Sequence, residues 1–160
     1  PALNDAVGGV TVQMDPEHVD AELRKLDPMF TPGNTVHLTG GYSFVYLHVR
    51  DIHAFASCEE RAERQKQYIK GYIGAVKEKM KTEPKLLSEM YTILNENMTT
   101  DIGKIELPSF YFYIDKMDFE DAIVSIEGER ILGESHEEFY ADEDALERLT
   151  LEMFYTERDE

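Results

Sequence analysis

Apolar and polar residues alternate from Val10 to Met14, with Thr11 and Gln13 between Val10, Val12 and Met14. That period of two predicts a short strand with one buried face. Ahead of it, Leu3 to Val7 reads as the last turn of a helix stopped by Gly8-Gly9. Asp15-Pro16 ends the strand, Glu17 to Leu26 reads as a loop with a weak helical turn, and Pro28 and Thr31-Pro32-Gly33-Asn34 read as turns. From Thr39-Gly40 to Arg50 the apolar residues Phe44, Val45, Leu47 and Val49 fit a helix better than a strand. The clearest period belongs to Glu59 to Met80, where Arg61, Gln65, Ile69, Tyr72, Val76 and Met80 recur at helical spacing. Ser57 followed by Glu60 is the capping-box pattern, so this helix is predicted to begin there. Pro84 opens a further helix with Leu86, Leu87, Met90, Ile93 and Leu94 as its apolar face. Lys104 to Met117 fits helix and strand alike. Ala122 to Ile126 reads as a strand, Glu127-Gly128 as a turn and Asp142 to Phe154 as a closing amphipathic helix. No repeat or low-complexity linker interrupts the chain, and the expectation is one mixed α/β domain over residues 1–160.

Composition narrows the possible partners. A formal net charge of −17 argues against nucleic acid, whose phosphates need a surplus of Lys and Arg on one face. The same charge leaves open an acidic interaction protein or a DNA mimic. The charge is uneven, however: Arg50, Arg61, Arg64, Lys66, Lys70, Lys77, Lys79, Lys81 and Lys85 crowd the middle, while the stretch after Asp115 is dominated by acids. A basic segment inside an acidic chain points to a local anion site or to a solvated helix face of paired charges. The single cysteine, Cys58, excludes an internal disulfide and a multi-cysteine metal site. No apolar run approaches the ~18 residues needed to span a membrane, and no signal peptide precedes the first strand.

Arg61 carries the chemistry. It stands in the first turn of the long helix, on the stripe that becomes apolar from Ile69 onward. A guanidinium aimed at an interior needs an anionic partner. Arg64 and Gln65 lie within one turn of it, Arg50 arrives from the preceding helix, and the helix start adds backbone N–H donors. Such a set suits phosphate, because the planar fork of arginine binds oxyanions bidentately. The competing reading is that Arg61 and Arg64 only pair with Asp51, Glu60 or Glu63. The histidines His37, His48 and His53 lack the spacing of a zinc site.

These residues resemble a known family. Leu3 to Val12 is similar to the strand segment that LytR-CpsA-Psr domains carry after their first half. Leu38-Thr39-Gly40 through Tyr46 resembles the approach to that family's Tyr-x-Arg-x-Arg element. Arg61-Ala62-Glu63-Arg64-Gln65 looks like its Arg-x-x-Arg-Gln signature. Thr100-Asp101 and Glu138-Phe139-Tyr140 resemble its closing segments, so the likeness runs over nearly the whole chain.

The resemblance implies an α/β fold with a mixed central sheet flanked by helices, incomplete at its N-terminal side. It also implies a phosphotransferase acting on the outer face of the bacterial cell membrane, in a parent protein held there by an anchor outside this chain. The substrate implied is an anionic glycopolymer, such as a teichoic acid, on a polyprenyl-pyrophosphate carrier, and the acceptor is a hydroxyl of peptidoglycan. Carried over by position, Arg50 and Arg61 are the catalytic candidates, and Arg50, Arg61, Arg64 and Gln65 the phosphate-binding set. Ile69 and Tyr72 are candidates either for the wall of a cavity for the isoprenoid tail or for plain core packing. Mg²⁺ is implied as the neutralising ion, with its aspartate ligands upstream of Pro1. Two departures stand out: His48 occupies the first position of the paired-arginine element, and Glu59-Glu60 replace the glycine that precedes the signature. A non-catalytic polyprenyl-pyrophosphate-binding module is the alternative within the same resemblance.

Overall fold

The computed structural model describes residues 1–17, 21–101, 103–116 and 123–155. The helix expected before the first strand is α1 (Ala2–Ala6). It ends where Gly8 and Gly9 take positive φ, and the Gly9 amide closes the turn on the Asn4 carbonyl at 2.8 Å. A side chain at Gly9 would also strike β2: a Cβ there would lie 2.8 Å from the Leu38 carbonyl oxygen. The alternation of Val10 to Met14 produces β1 (Val10–Gln13), buried at Val10 and Val12 and exposed between. After Pro16 come α2 (Ala21–Leu26), more regular than the weak turn expected there, and a 3-10 turn at Pro28–Phe30. Residues 18–20 of that expected loop lie outside the described residues.

The partner of β1 is β2 (Thr35–Leu38), which the sequence pattern did not single out. The two run antiparallel with Val10 opposite Leu38 and Val12 opposite Val36. Both buried pairs face the same way, and with Met14, Leu23, Phe30 and Tyr46 they form the main core. α3 (Gly41–His48) and α4 (Ser57–Thr82) cover that core. Gly71 lets α4 approach closely, since a Cβ on it would sit 2.8 Å from a Val10 methyl. A second apolar cluster joins Val7, Val76, Met80 and Leu86, and fastens α5 (Leu86–Asn97) to the far end of α4. α6 (Leu107–Lys116) settles the ambiguous segment as helix, with Met117 outside the described residues.

Toward the C-terminus the expected strand at Ala122 to Ile126 does not form: Ala122 lies outside the described residues, and 123–126 are irregular. The strands there are β3 (Gly128–Leu132) and β4 (Glu137–Ala141), an antiparallel ribbon in which Gly128 faces Ala141. Gly128 therefore starts a strand instead of ending one. The closing helix forms as expected, as α7 (Glu143–Phe154), and Asp142 caps it, its carboxylate accepting the Ala145 amide at 2.9 Å. The fold is mixed α/β, and its described strands form two small antiparallel pairs, β1–β2 and β3–β4. Among the described residues no helix is long and apolar enough to cross a membrane.

Candidate functional site

The site is built where α3 ends and α4 begins. The capping box expected at Ser57 is absent: Ala56, in the left-handed region at φ 61°, precedes the helix, and no side chain caps it. Ser57 is instead buried, and its hydroxyl accepts a hydrogen bond from Arg50 Nη1 at 3.1 Å. This contact anchors Arg50 at the mouth of the 51–56 loop.

The four predicted phosphate ligands separate into two pairs. Arg50 and Arg61 line one cleft of about 420 Å³ together with Glu22, Lys25, His48 and Ile52. Among the described residues Arg61 forms no ion pair with Asp51, Glu60 or Glu63. Glu63 pairs with Lys66 instead.

Arg64 and Gln65 point elsewhere. Arg64 is only 2 % exposed, and it donates through Nε to the Tyr46 carbonyl at 3.2 Å and through Nη2 to the Val49 carbonyl. Gln65 Nε2 donates to the Leu47 carbonyl at 3.0 Å. These are the orphan acceptors at the end of α3 and just beyond it, which need partners once buried. Arg64 and Gln65 therefore bind the end of one helix to the start of the next, and neither lines the Arg50–Arg61 cleft.

His48, the last residue of α3, joins the cleft to a second cavity. Its ring stacks on Phe44 with centroids 4.0 Å apart, and Nδ1 lies 2.9 Å from the Phe44 carbonyl, which can only accept. Nδ1 thus carries a hydrogen and Nε2 is left toward solvent. The second cavity, about 310 Å³, is a largely apolar groove lined by Leu3, Phe44, Leu47, His48, Tyr68 and Tyr72 among others. Tyr72 stands in its wall and also packs against both apolar clusters of the core. Ile69 does not, being 42 % exposed on another face of α4. Burial pushes the Tyr72 hydroxyl up to about 12. The role of His48 was within reach of the sequence, because Phe44 and His48 are four apart on one helix.

The donor set does not suit a divalent cation. Among the described residues no group of three or more His, Cys, Asp or Glu could hold a metal. The cleft offers one carboxylate, Glu22, already paired with Lys25, beside two guanidinium groups that repel a cation.

Fold and site together define an α/β protein with a cationic cleft opening beside an apolar groove. The chain belongs to the LytR-CpsA-Psr family: the sequence model of the LytR_cpsA_psr family matches residues 2–154. Among solved structures it is similar to Lin1025 from Listeria innocua, with a TM-score of 0.55 and 26 % identity over 92 % of this chain and 61 % of that one. It also matches Lmo1026 from Listeria monocytogenes, with a TM-score of 0.49 and 23 % identity over 92 % of this chain and 57 % of that one. The chain thus spans 61 % and 57 % of the length of these two relatives. No curated protein gives a match.

Proposed function

We propose that this chain contributes to a phosphotransferase that moves an anionic glycopolymer from a polyprenyl-pyrophosphate carrier to a hydroxyl of peptidoglycan. The family to which it belongs is connected with cell-wall glycopolymers, and the finer reading rests on one observation. His48 stands in the wall of both the cationic cleft and the apolar groove, so the two adjoin. A ligand with a diphosphate head and an apolar tail matches that pairing. Arg50 and Arg61 would bind the head through their planar forks, favouring the pyrophosphate over neutral groups.

In the transfer, the acceptor oxygen forms a bond to the sugar-linked phosphorus while the anhydride P–O bond to the lipid phosphate breaks. The bonding pair leaves with the lipid phosphate, and the hydroxyl proton ends on that phosphate or on solvent. The two arginines would stabilise charge gathering on the leaving group, the main demand of such reactions. Mg²⁺, implied by the family resemblance, finds no fitting ligand set among the described residues, and no step is routed through it. The outer face of a bacterial membrane is the setting in which such a substrate occurs.

The adjoining cleft and groove suit equally a second reading, a module that holds the lipid pyrophosphate without transferring it. One experiment addresses both. Farnesyl pyrophosphate is titrated into the chain and its Arg50→Ala and Arg61→Ala variants, with and without Mg²⁺. Saturable binding weakened about tenfold or more by either substitution supports the cleft, and single-turnover transfer from a polyprenyl-pyrophosphate-linked saccharide to a peptidoglycan fragment separates enzyme from binder. A folded chain that does not bind removes both readings.

A further inference from the structure

Glu137 lies on β4, remote in sequence from the cleft, yet its carboxylate reaches the segment that anchors Arg50. Its Oε2 accepts the Ala56 amide at 2.9 Å, and its Oε1 accepts from Arg130 Nη1 at 2.8 Å. Arg130 lies in turn 3.6 Å from Glu59 on α4. The whole clasp thus ties the β3–β4 ribbon to the start of α4. The residue it grips is telling. Ala56 is the one non-glycine with positive φ among the described residues, a conformation that alanine disfavours and surrounding contacts must hold. The next residue is Ser57, whose buried hydroxyl receives Arg50.

From Glu137 to Arg50 the connection therefore runs through one backbone N–H, one peptide unit and one hydroxyl. We propose that Glu137 is a positioning residue for the cleft: by holding Ala56 left-handed, it sets the Ser57 hydroxyl where it fixes Arg50. The proposal rests on the reading of the Arg50–Arg61 cleft as a pyrophosphate site. Glu137 itself touches no ligand, and its effect is transmitted entirely through the loop.

The test is calorimetric titration of the 160-residue chain with inorganic pyrophosphate, with thermal unfolding measured beside it. Glu137→Ala is expected to weaken binding about tenfold. Adding Ala56→Gly to that variant should restore the wild-type affinity, because glycine adopts positive φ without help. Adding Ser57→Ala to Glu137→Ala should produce no further loss, since both act on the same arginine. Glu137→Gln keeps an oxygen for the Ala56 amide and is expected to bind better than Glu137→Ala, which preserves the comparison if the alanine variant does not fold. Wild-type binding with Glu137→Ala undiminished, a loss that glycine does not rescue, or losses that add would each overturn the proposal while leaving the cleft intact. Absence of binding by the folded wild-type chain would remove the cleft reading and the proposal with it.

Discussion

The guanidinium carbon of Arg64 lies 5.9 Å from the centroid of the Tyr46 ring, while its Nε donates to the carbonyl of the same residue at 3.2 Å. One residue of α3 thus offers Arg64 both an aromatic face and a hydrogen-bond acceptor, and the cation is held inside the protein without reaching the cleft.

Removing that side chain should therefore cost stability. Arg64→Ala leaves the Tyr46 and Val49 carbonyls without this donor and is expected to destabilise by roughly 2–4 kcal/mol. Arg64→Lys keeps the charge but not the fork, so an intermediate loss is expected. Arg61 is partly buried and unpaired among the described residues, and Arg61→Ala should stay within about 0.5 kcal/mol of wild type. Urea unfolding of the three variants checks the order. Equal losses for Arg61 and Arg64 would mean that the division of roles is incorrect.

Stability should also decline at high pH. Burial pushes the hydroxyls of Tyr46 and Tyr72 up to about 12, from an ordinary value of about 10. The folded chain keeps protons that the unfolded chain gives up, so their contribution is full below the ordinary value and is lost as pH rises from about 10 through 12. Tyr46 also donates to Gln67 at 2.6 Å, a bond that deprotonation would abolish. Urea midpoints between about pH 8 and 12 should fall for the wild type. A Tyr46→Phe variant, less stable at neutral pH, should show a shallower fall. Parallel curves for the two would contradict the assignment.

At low pH the residue to watch is Asp5. The Gly40 amide, 2.7 Å from its Oδ1, holds this carboxylate below its ordinary range and ties α1 to the start of α3. A depressed carboxylate stabilises the fold above its unfolded value, and the contribution disappears as pH falls through the folded one. Asp5→Asn should remove part of the acid-dependent loss while leaving the curve near neutrality flat. An unchanged acid limb would show that the Gly40 contact contributes nothing measurable.

Two glycines should respond differently to alanine. At Gly9 the positive φ and the nearby Leu38 carbonyl both oppose a side chain, and neither can move without disturbing β2. At Gly71 the obstacle is a Val10 methyl, and the overpacking cost of roughly 1–3 kcal/mol is partly offset by about 1 kcal/mol of gained helix propensity. Gly9→Ala is thus expected to be the more destabilising of the two in thermal unfolding, and the reverse order would contradict the close approach at Gly9.

Much of this arrangement was legible in the sequence where local signals agreed. The alternation of Val10 to Met14, the Gly8-Gly9 stop and the amphipathic run from Asp142 to Phe154 are each local signals, and each element formed where expected. β2 escaped because its pairing with β1 bridges more than twenty residues, and Thr35 to Leu38 is too short to announce itself beside the turn residues before it. The apparent strand at 122–126 carried the apolar pattern, whereas the chain pairs 128–132 with 137–141, a choice set by the partner strand. In α4 the later part of the stripe, Tyr72, Val76 and Met80, meets the interior, but its first turns do not: there the buried positions are Ser57 and Arg64, not Arg61 and Gln65. A buried arginine satisfied by main-chain carbonyls reads as polar in any pattern, so only the folded contacts separate it from Arg61. The same is true of Glu137, whose partner Ala56 lies 81 positions away.

The bonds from Arg64 and Gln65 to the end of α3 have a consequence for recognition. They join two helices into a rigid elbow, with Arg50 just past one arm and Arg61 on the other. An incoming anion therefore meets two cations carried on, or just past, helices already tied together, one of them, Arg50, held by Ser57, and the ordering left to impose falls mainly on the Arg61 side chain, at roughly 0.5–1.5 kcal/mol. Half of the arginine-glutamine set meets the solvent, and the other half serves as the splint that keeps it in register.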